Sequence, residues 1–292
     1  MLPPKLTLDL AEAVPPRAGF LMAMPACLDD PPVAGLKWVA GFRENPKRGL
    51  PPVTALIVLV DPEDGAPLAV MDGTYITAIR TGAASAVFAK ALAQKNASTL
   101  GIIGAGTQGR MHLRAMAHVL PLKEVRVIDV QKEVAERFRS EMSAELGIGI
   151  AVVGSCREAV DGADVVCTVT AADEPLVKRE WVRKGTLVVS VGSGRELDPE
   201  LILSAGRIVV DDRAQTRERG ELAGLFASGR LTDRGIHAEI GEILVGRKRG
   251  REDGEEIIVA VHLGLGSLDL GCAYEAFRKA RDRGLGTPFR FL

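Results

Sequence analysis

Leu100 to Gly109, reading LGIIGAGTQG, is the stretch that decides the fold of this 292-residue chain. An apolar run stops at Gly104, Ala105 and Gly106, and Gly109 lies inside a segment with helical spacing at Met111, Leu113, Met116, Val119 and Leu120. That is strand, tight turn, helix. In a dinucleotide fingerprint the first glycine, Gly104, permits the turn, Gly106 lets the backbone approach a pyrophosphate, and Gly109 lets helix and strand pack closely. Thr107 and Gln108 complete the turn into the helix, whose unpaired amides and dipole favour an anion.

With 32 glycines in the chain, GxGxxG spacing alone carries little weight, so the flanking elements matter. Glu124 to Asp129 reads as the next strand, and Asp129 closes it at the distance where an acidic group meets a ribose hydroxyl. Such an acid repels a 2′-phosphate, which favours NAD over NADP, although Arg126 and Lys132 flank it. Val153 to Glu158 and Asp164 to Thr170 are expected to give strand and approach. Leu187 to Val191 and Arg207 to Val210 give later strands, and Leu263 to Arg283 contains a helix with Leu268, Cys272 and Ala276 on one face. The fold class expected is α/β, a Rossmann-type doubly wound parallel sheet.

Ahead of the fingerprint the pattern is different. Lys5 to Leu10 alternates, Phe20 to Met24 and Gly35 to Val39 are short apolar runs, and Thr54 to Val60 and Pro67 to Met71 flank the turn Asp61-Pro-Glu-Asp-Gly65. These strands predict a separate small sheet. Ile76 to Ala93 is helical and rich in small residues. Lys37 lies between large apolar neighbours, where its stem either snorkels to water or a partner or ligand compensates a buried ammonium. Arg80 and Thr81 lie in the first turns of the helix. A guanidinium there either clamps a carboxylate or keeps an exposed head.

Composition bounds the function. At 292 residues the chain suits two domains, and 47% hydrophobic content supports a sizeable core. The net charge of -1, with no concentrated basic segment, argues against a nucleic-acid surface. Cys27, Cys156, Cys167 and Cys272 show no metal-ligand spacing and read as reduced core residues of a cytoplasmic protein, with no metal site expected. No apolar run reaches membrane-spanning length, and MLPPKLTLDL lacks a signal-peptide apolar region.

Long motifs then carry a resemblance. GLKWVAGFRENPKRGLPPVTALIVL, PLAVMDGTYITAIRTGAASAVFAKALA, the fingerprint, GRELDPELI, VVDDRAQ at Val209 to Gln215, and IHAEIGEILVG at Ile236 to Gly246 follow one another in the order seen in the ornithine cyclodeaminase and mu-crystallin family. Within it the chain most resembles the archaeal type of alanine dehydrogenase. The resemblance implies a homodimer with a nicotinamide cofactor and a small amino or imino acid substrate. It further implies a substrate and dimerisation domain of α+β type built from residues 1–94 and 280–292, around a Rossmann domain at residues 95–279. Carried over by position, Lys5, Lys37, Arg80 and Thr81 line the substrate pocket. Lys37 holds the substrate's carboxylate or carbonyl and Arg80 clamps the carboxylate, while Thr168, Thr170 and Gly192 lie near the cofactor.

The departures are informative. The family usually carries a helical segment ahead of the PPK motif at Pro3-Pro4-Lys5, whereas this sequence starts almost on it. Met22 stands where an arginine is expected, two residues before Met24-Pro25-Ala26. Gly192-Ser193 runs straight to Gly194-Arg195-Glu196-Leu197-Asp198, without the aspartate to which the family's enzymes assign proton transfer. Val261 and His262 replace an aspartate or lysine and then a serine. His262 is therefore a candidate for the proton-transfer role, or else a packing residue at a strand end. Glu196, Asp198, Asp211 and Asp212 are candidates for a displaced acid, although Asp198-Pro199 also reads as a helix N-cap. His237 reads as structural, His112 and His118 as surface residues, and Arg247 to Arg251 as a solvated loop.

The function implied is an NAD-dependent oxidoreductase on a small amino or imino acid, either alanine dehydrogenase-like or an imine or ketimine reductase. Met22 and the missing acid point away from alanine itself. The alternatives are a redox-neutral ornithine cyclodeaminase, and a non-catalytic NAD-binding protein of the mu-crystallin kind.

Overall fold

A computed structural model describes residues 3–10, 19–192 and 194–289. Residues 1–2, 11–18, 193 and 290–292, which the expected domains include, lie outside the described residues. The chain divides into two compact units, one holding the described residues up to Arg80 and from Leu265 onward, the other Thr81–Gly264. These divisions fall earlier than the boundaries expected at 94/95 and 279/280.

The first unit is an antiparallel sheet in sequence order, β1 (Leu6–Asp9), β2 (Phe20–Asp29), β3 (Pro32–Gly41), β4 (Val53–Val60) and β5 (Pro67–Asp72). β2 and β3 each run ten residues, longer than their apolar runs suggest, because they pair along their whole length from Phe20↔Gly41 to Asp29↔Pro32. Period-two alternation turns Val33, Lys37 and Val39 of β3 and Ala55, Ile57 and Leu59 of β4 inward. α1 (Thr74–Leu92) follows the sheet in sequence.

The C-terminal helix, Gly266–Asp282, covers the inward face of this sheet, and its packing on β2, β3 and β4 is what assigns it to the first unit. Leu270 and Ala273 pack with Ala26, Val33, Ile57 and Leu59. The residues Leu268, Cys272 and Ala276 do share a face, but it is the solvent face. Cys272 is exposed and is thus no core residue, while Cys167 is buried, Cys27 and Cys156 are half-buried, and all four are free thiols.

The second unit alternates strand and helix. It contains β6 (Thr99–Ile103), α2 (Thr107–Ala117), β7 (Glu124–Ile128), α3 (Lys132–Leu146), β8 (Gly149–Val152), α4 (Cys156–Val160), β9 (Val165–Thr168), β10 (Leu187–Val191), α5 (Pro199–Leu203), β11 (Arg207–Val210), α6 (Arg213–Glu218), α7 (Ala223–Ala227), β12 (Ala238–Glu239), α8 (Ile240–Leu244) and β13 (Ile258–His262). All pairings are parallel, in the order β12-β11-β13-β10-β9-β6-β7-β8. This is the doubly wound sheet expected. β9, β10 and β13 are buried along their whole length, as strands covered on both faces must be.

Val153 to Glu158 is not a strand. The strand ends at Val152, and Ser155 caps α4 by accepting the Glu158 amide, because a serine followed three residues later by glutamate competes well for a helix start. Asp198 does cap α5, with Pro199 as its first residue. No helix among the described residues is long and apolar enough to cross a membrane.

Candidate active site

In the first unit one buried carboxylate gathers two cations. Lys37 is 1% exposed and Asp269 is fully buried; Lys37 Nζ stands 2.8 Å from Asp269 Oδ2. Arg80, also buried, donates from Nε to Asp269 Oδ1 at 2.8 Å. Strand alternation places Lys37 inside, opposite Met24 and Ile57, and helical spacing places Asp269 four residues before the buried Ala273. Both alternatives left open for Lys37 and Arg80 are thereby decided in favour of buried, compensated cations.

Burial pushes the Lys37 ammonium down to about 7, and the neighbouring Arg80 charge pushes the same way. The Asp269 charge and its hydrogen bond oppose this, and Lys5, half-buried, adds to the lowering. A lysine in this state exchanges a proton near neutral pH. With Lys37 protonated the trio carries a net positive charge, the electrostatic condition for binding an anion. Asp269 lies off the Leu268, Cys272 and Ala276 face that the sequence pattern singles out, and so is missed by it. Its signal was an acid in line with Ala273 and Phe277 on the apolar stripe. Met22 is half-buried on β2 and brings no charge.

In the second unit the fingerprint adopts the geometry its residues predict. Gly104 has φ +109°, which L side chains rarely adopt, and a Cβ on Gly109 would stand 2.2 Å from the Gly104 carbonyl oxygen. A Cβ on Gly106 would meet only open space. Gly106 is the N-cap of α2 and no side chain caps the helix, so protein side chains leave that end to another acceptor. Asp129 Oδ2 accepts the Ala105 amide at 2.9 Å and Oδ1 the Gln131 amide at 3.0 Å, so the acid at the end of β7 is fixed against the turn. Thr168 is buried at the end of β9, Thr170 follows two residues later, and Gly192 donates its amide to the His262 carbonyl at 3.1 Å.

His262, at the end of β13, is buried with Nε2 2.6 Å from the Ser85 hydroxyl. Its ring stacks on Phe88 at 5.5 Å and on His112 at 6.5 Å. His112 is therefore no surface residue: it is fully buried and its Nδ1 lies 2.7 Å from the Gln108 carbonyl oxygen, while His118 is exposed. The amphipathic stripe of α2 faces the sheet and takes His112 with it. Thr81 is buried in the same unit.

Of the candidate displaced acids, Asp212 caps α6, and Asp211 accepts the amides of Leu263 and Gly264, each at 2.8 Å. Glu196 is buried and bonds Thr170. Glu221 is buried as well, accepting Ser190 Oγ and the amides of Glu196 and Leu197. His237 lies within hydrogen-bond distance of Arg207 and the Arg249 carbonyl. In the basic run, Arg251 is not solvated: it donates to the carbonyls of Leu92 and Glu256.

The profile of the Ornithine cyclodeaminase/mu-crystallin family matches residues 5–283. The chain belongs to this family. It is 40% identical over 295 residues to the alanine dehydrogenase of Archaeoglobus fulgidus, covering 100% of this chain and 88% of that one. Its structure is similar to that of Thermococcus litoralis Δ1-pyrroline-2-carboxylate reductase in complex with NADH and L-proline, with TM-score 0.94 and 40% identity over 99% of this chain and 89% of that one. It is also similar to an archaeal alanine dehydrogenase dimer with bound NAD, with TM-score 0.92 and 40% identity over 100% of this chain and 89% of the other. Both matches run through the parallel and the antiparallel sheet of this chain.

Proposed function

We propose that the protein is an NAD-dependent oxidoreductase acting at the α-carbon of a small amino or imino acid. The observation that carries the substrate class is the buried Lys37–Asp269–Arg80 trio, which presents positive charge to a carboxylate and a proton near neutral pH.

The second unit fits the nucleotide. The uncapped start of α2 and the open space at Gly106 would take the pyrophosphate on the amides of Thr107, Gln108 and Gly109, and Asp129 would meet the ribose. Gly104, Thr168, Thr170 and Gly192 line the strand ends of the same unit. A reduced nicotinamide held there would supply a hydride to the imine carbon. Arg80 pairs the substrate carboxylate, and Lys37 holds and delivers the proton that keeps the imine electrophilic. Asp269 fixes both cations, and Lys5 adds to the positive field. His262, bonded to Ser85 and stacked between Phe88 and His112, fits a supporting place at the end of β13 rather than this proton transfer.

A cyclodeaminase needs an acid for the distal amine of ornithine. Asp269 already has one oxygen on Lys37 and the other on Arg80, which favours the reductase. The test is NADH and NADPH consumption by purified protein across 2-oxo acids with ammonium or methylamine, and across cyclic imines. Turnover with NADH and one of these classes is expected. Release of ammonia from ornithine without net NADH change would overturn the reading in favour of the cyclodeaminase.

We also place the protein in the cytoplasm as a homodimer. The outward face of the antiparallel sheet carries Leu6, Leu8, Trp38, Leu56 and Val70, with Leu6 74%, Leu56 54% and Val70 57% exposed. Leu6, Ala23, Trp38 and Leu56 lie in one cross-strand row, so the apolar surface is continuous. Leu56→Glu is expected to halve the mass seen by light scattering. A variant that keeps the wild-type mass would remove this face from the dimer contact.

A further inference from the structure

Between β10 and α5 the chain delivers one buried acid, Glu196. It is completely enclosed, and one carboxyl oxygen accepts twice from Thr170, from the backbone amide at 2.8 Å and from the hydroxyl at 2.6 Å. The Thr170 hydroxyl in turn accepts the Ala172 amide at 3.0 Å. Glu196 is held from behind, its own amide on Glu221 Oε2 at 3.0 Å and its carbonyl accepting the amides of Leu176 and Val177. Buried carboxyls are costly, and burial together with the Glu221 charge raises this one to about 7 against the pull of the Thr170 and Thr168 donors. Retaining an acid there calls for a task that an apolar residue cannot perform.

The task follows from where Thr170 stands. β6 and β9 are neighbours, and the chain leaves β6 toward β7 on the opposite side, so the crevice at their carboxyl ends is the switch point where a doubly wound sheet takes its nucleotide. Gly104 ends one bank of that crevice and Val169–Thr170 the other. The two are in contact: a Cβ on Gly104 would stand 2.9 Å from the Val169 carbonyl oxygen and 3.0 Å from Thr170 Cγ2. The position of Thr170 therefore sets the wall against which the fingerprint turn rests.

We infer that Glu196 is a positioning residue for the dinucleotide, acting through Thr170 to hold the β9 bank of the crevice against the Gly104 turn. Glu196 is itself fully buried, so it would act on the nucleotide at one remove. This inference rests on the nucleotide reading given above. What the position requires is an acceptor with two lone pairs on one oxygen, which a glutamine amide also supplies and an alanine does not.

The test is NADH titration by fluorescence, with thermal melting of each variant as the control. Glu196→Ala is expected to raise the NADH Kd about tenfold, the loss of hydrogen bonds to a charged acceptor. Glu196→Gln restores the acceptor and is expected to bind within about twofold of wild type. In a Thr170→Ala background the further Glu196→Ala change is expected to weaken binding by about threefold, because the hydroxyl bond is already gone while the bond from the residue-170 amide remains. A folded Glu196→Ala protein with the wild-type Kd would overturn the role of Glu196. So would a full tenfold loss in both backgrounds, or a Gln variant as weak as the Ala one. Wild-type protein that bound no NADH would instead overturn the nucleotide reading itself, and this inference with it.

Discussion

Lys37→Met is expected to lower kcat/KM for imine reduction by about a thousandfold while leaving the NADH Kd within about twofold, the size of effect that a positioned acid-base group contributes. Its amine sits buried on Asp269 in the first unit, whereas the groups that would hold the nucleotide all lie in the second. The pH profile separates loss of proton transfer from loss of shape. In the wild type the ammonium titrates at about 7, so kcat/KM for reduction is expected to be level below that pH and to fall above it. Amine oxidation needs the neutral form and should rise through the same pH. Lys37→Arg keeps the charge but does not deprotonate in this range, so the descending limb should vanish while part of the carboxylate binding survives. A methionine variant with the wild-type rate and the same limb would remove Lys37 from the mechanism.

The second large effect is expected at Asp269. Asp269→Asn leaves Lys37 and Arg80 buried without their counter-charge, and breaking a buried pair in this way costs about 3–5 kcal/mol. A fall in Tm of roughly 10 °C is the corresponding reading for a chain of this size. Asp269 also raises the Lys37 pKa, through its charge and its hydrogen bond. Its removal should therefore carry the descending limb of the reduction profile below pH 7. The sign for stability follows from the same shift. A folded-state pKa depressed from 10.5 to about 7 gives stability that is present at high pH and lost as pH falls toward 7. The deficit of Asp269→Asn should accordingly be larger at pH 6 than at pH 9. An asparagine variant with unchanged Tm and an unmoved limb would show that the trio is not an electrostatic unit.

The two effects share a cause in the packing of one helix. Asp269 sits beside Leu270 and four residues before Ala273, so the force that seats the helix, burial of those apolar side chains against Ile57 and Leu59, also carries the carboxylate to Lys37. A lysine at the centre of β3 is tolerable only with that helix in place.

The parallel sheet was legible from the chain alone, because strand, glycine turn and helix are local features. Gly104 and Gly109 are needed for a backbone torsion and a contact five residues apart, both readable from spacing alone. The antiparallel strands were legible too, through period-two alternation and turn residues, and the sequence marked Lys37 and Arg80 as cations in apolar surroundings. What compensates them is set by the packing of distant segments. Asp269 is 232 and 189 positions away from them, and no local pattern encodes which distant carboxylate will share a buried face. The same reason hid the burial of His112, whose helix phase was legible but whose partner His262 was not, and the tie between Glu196 and Thr170. Periodicity specifies which way a side chain points within its own element. Long-range packing alone specifies what it meets there, and desolvation then fixes whether the meeting carries charge.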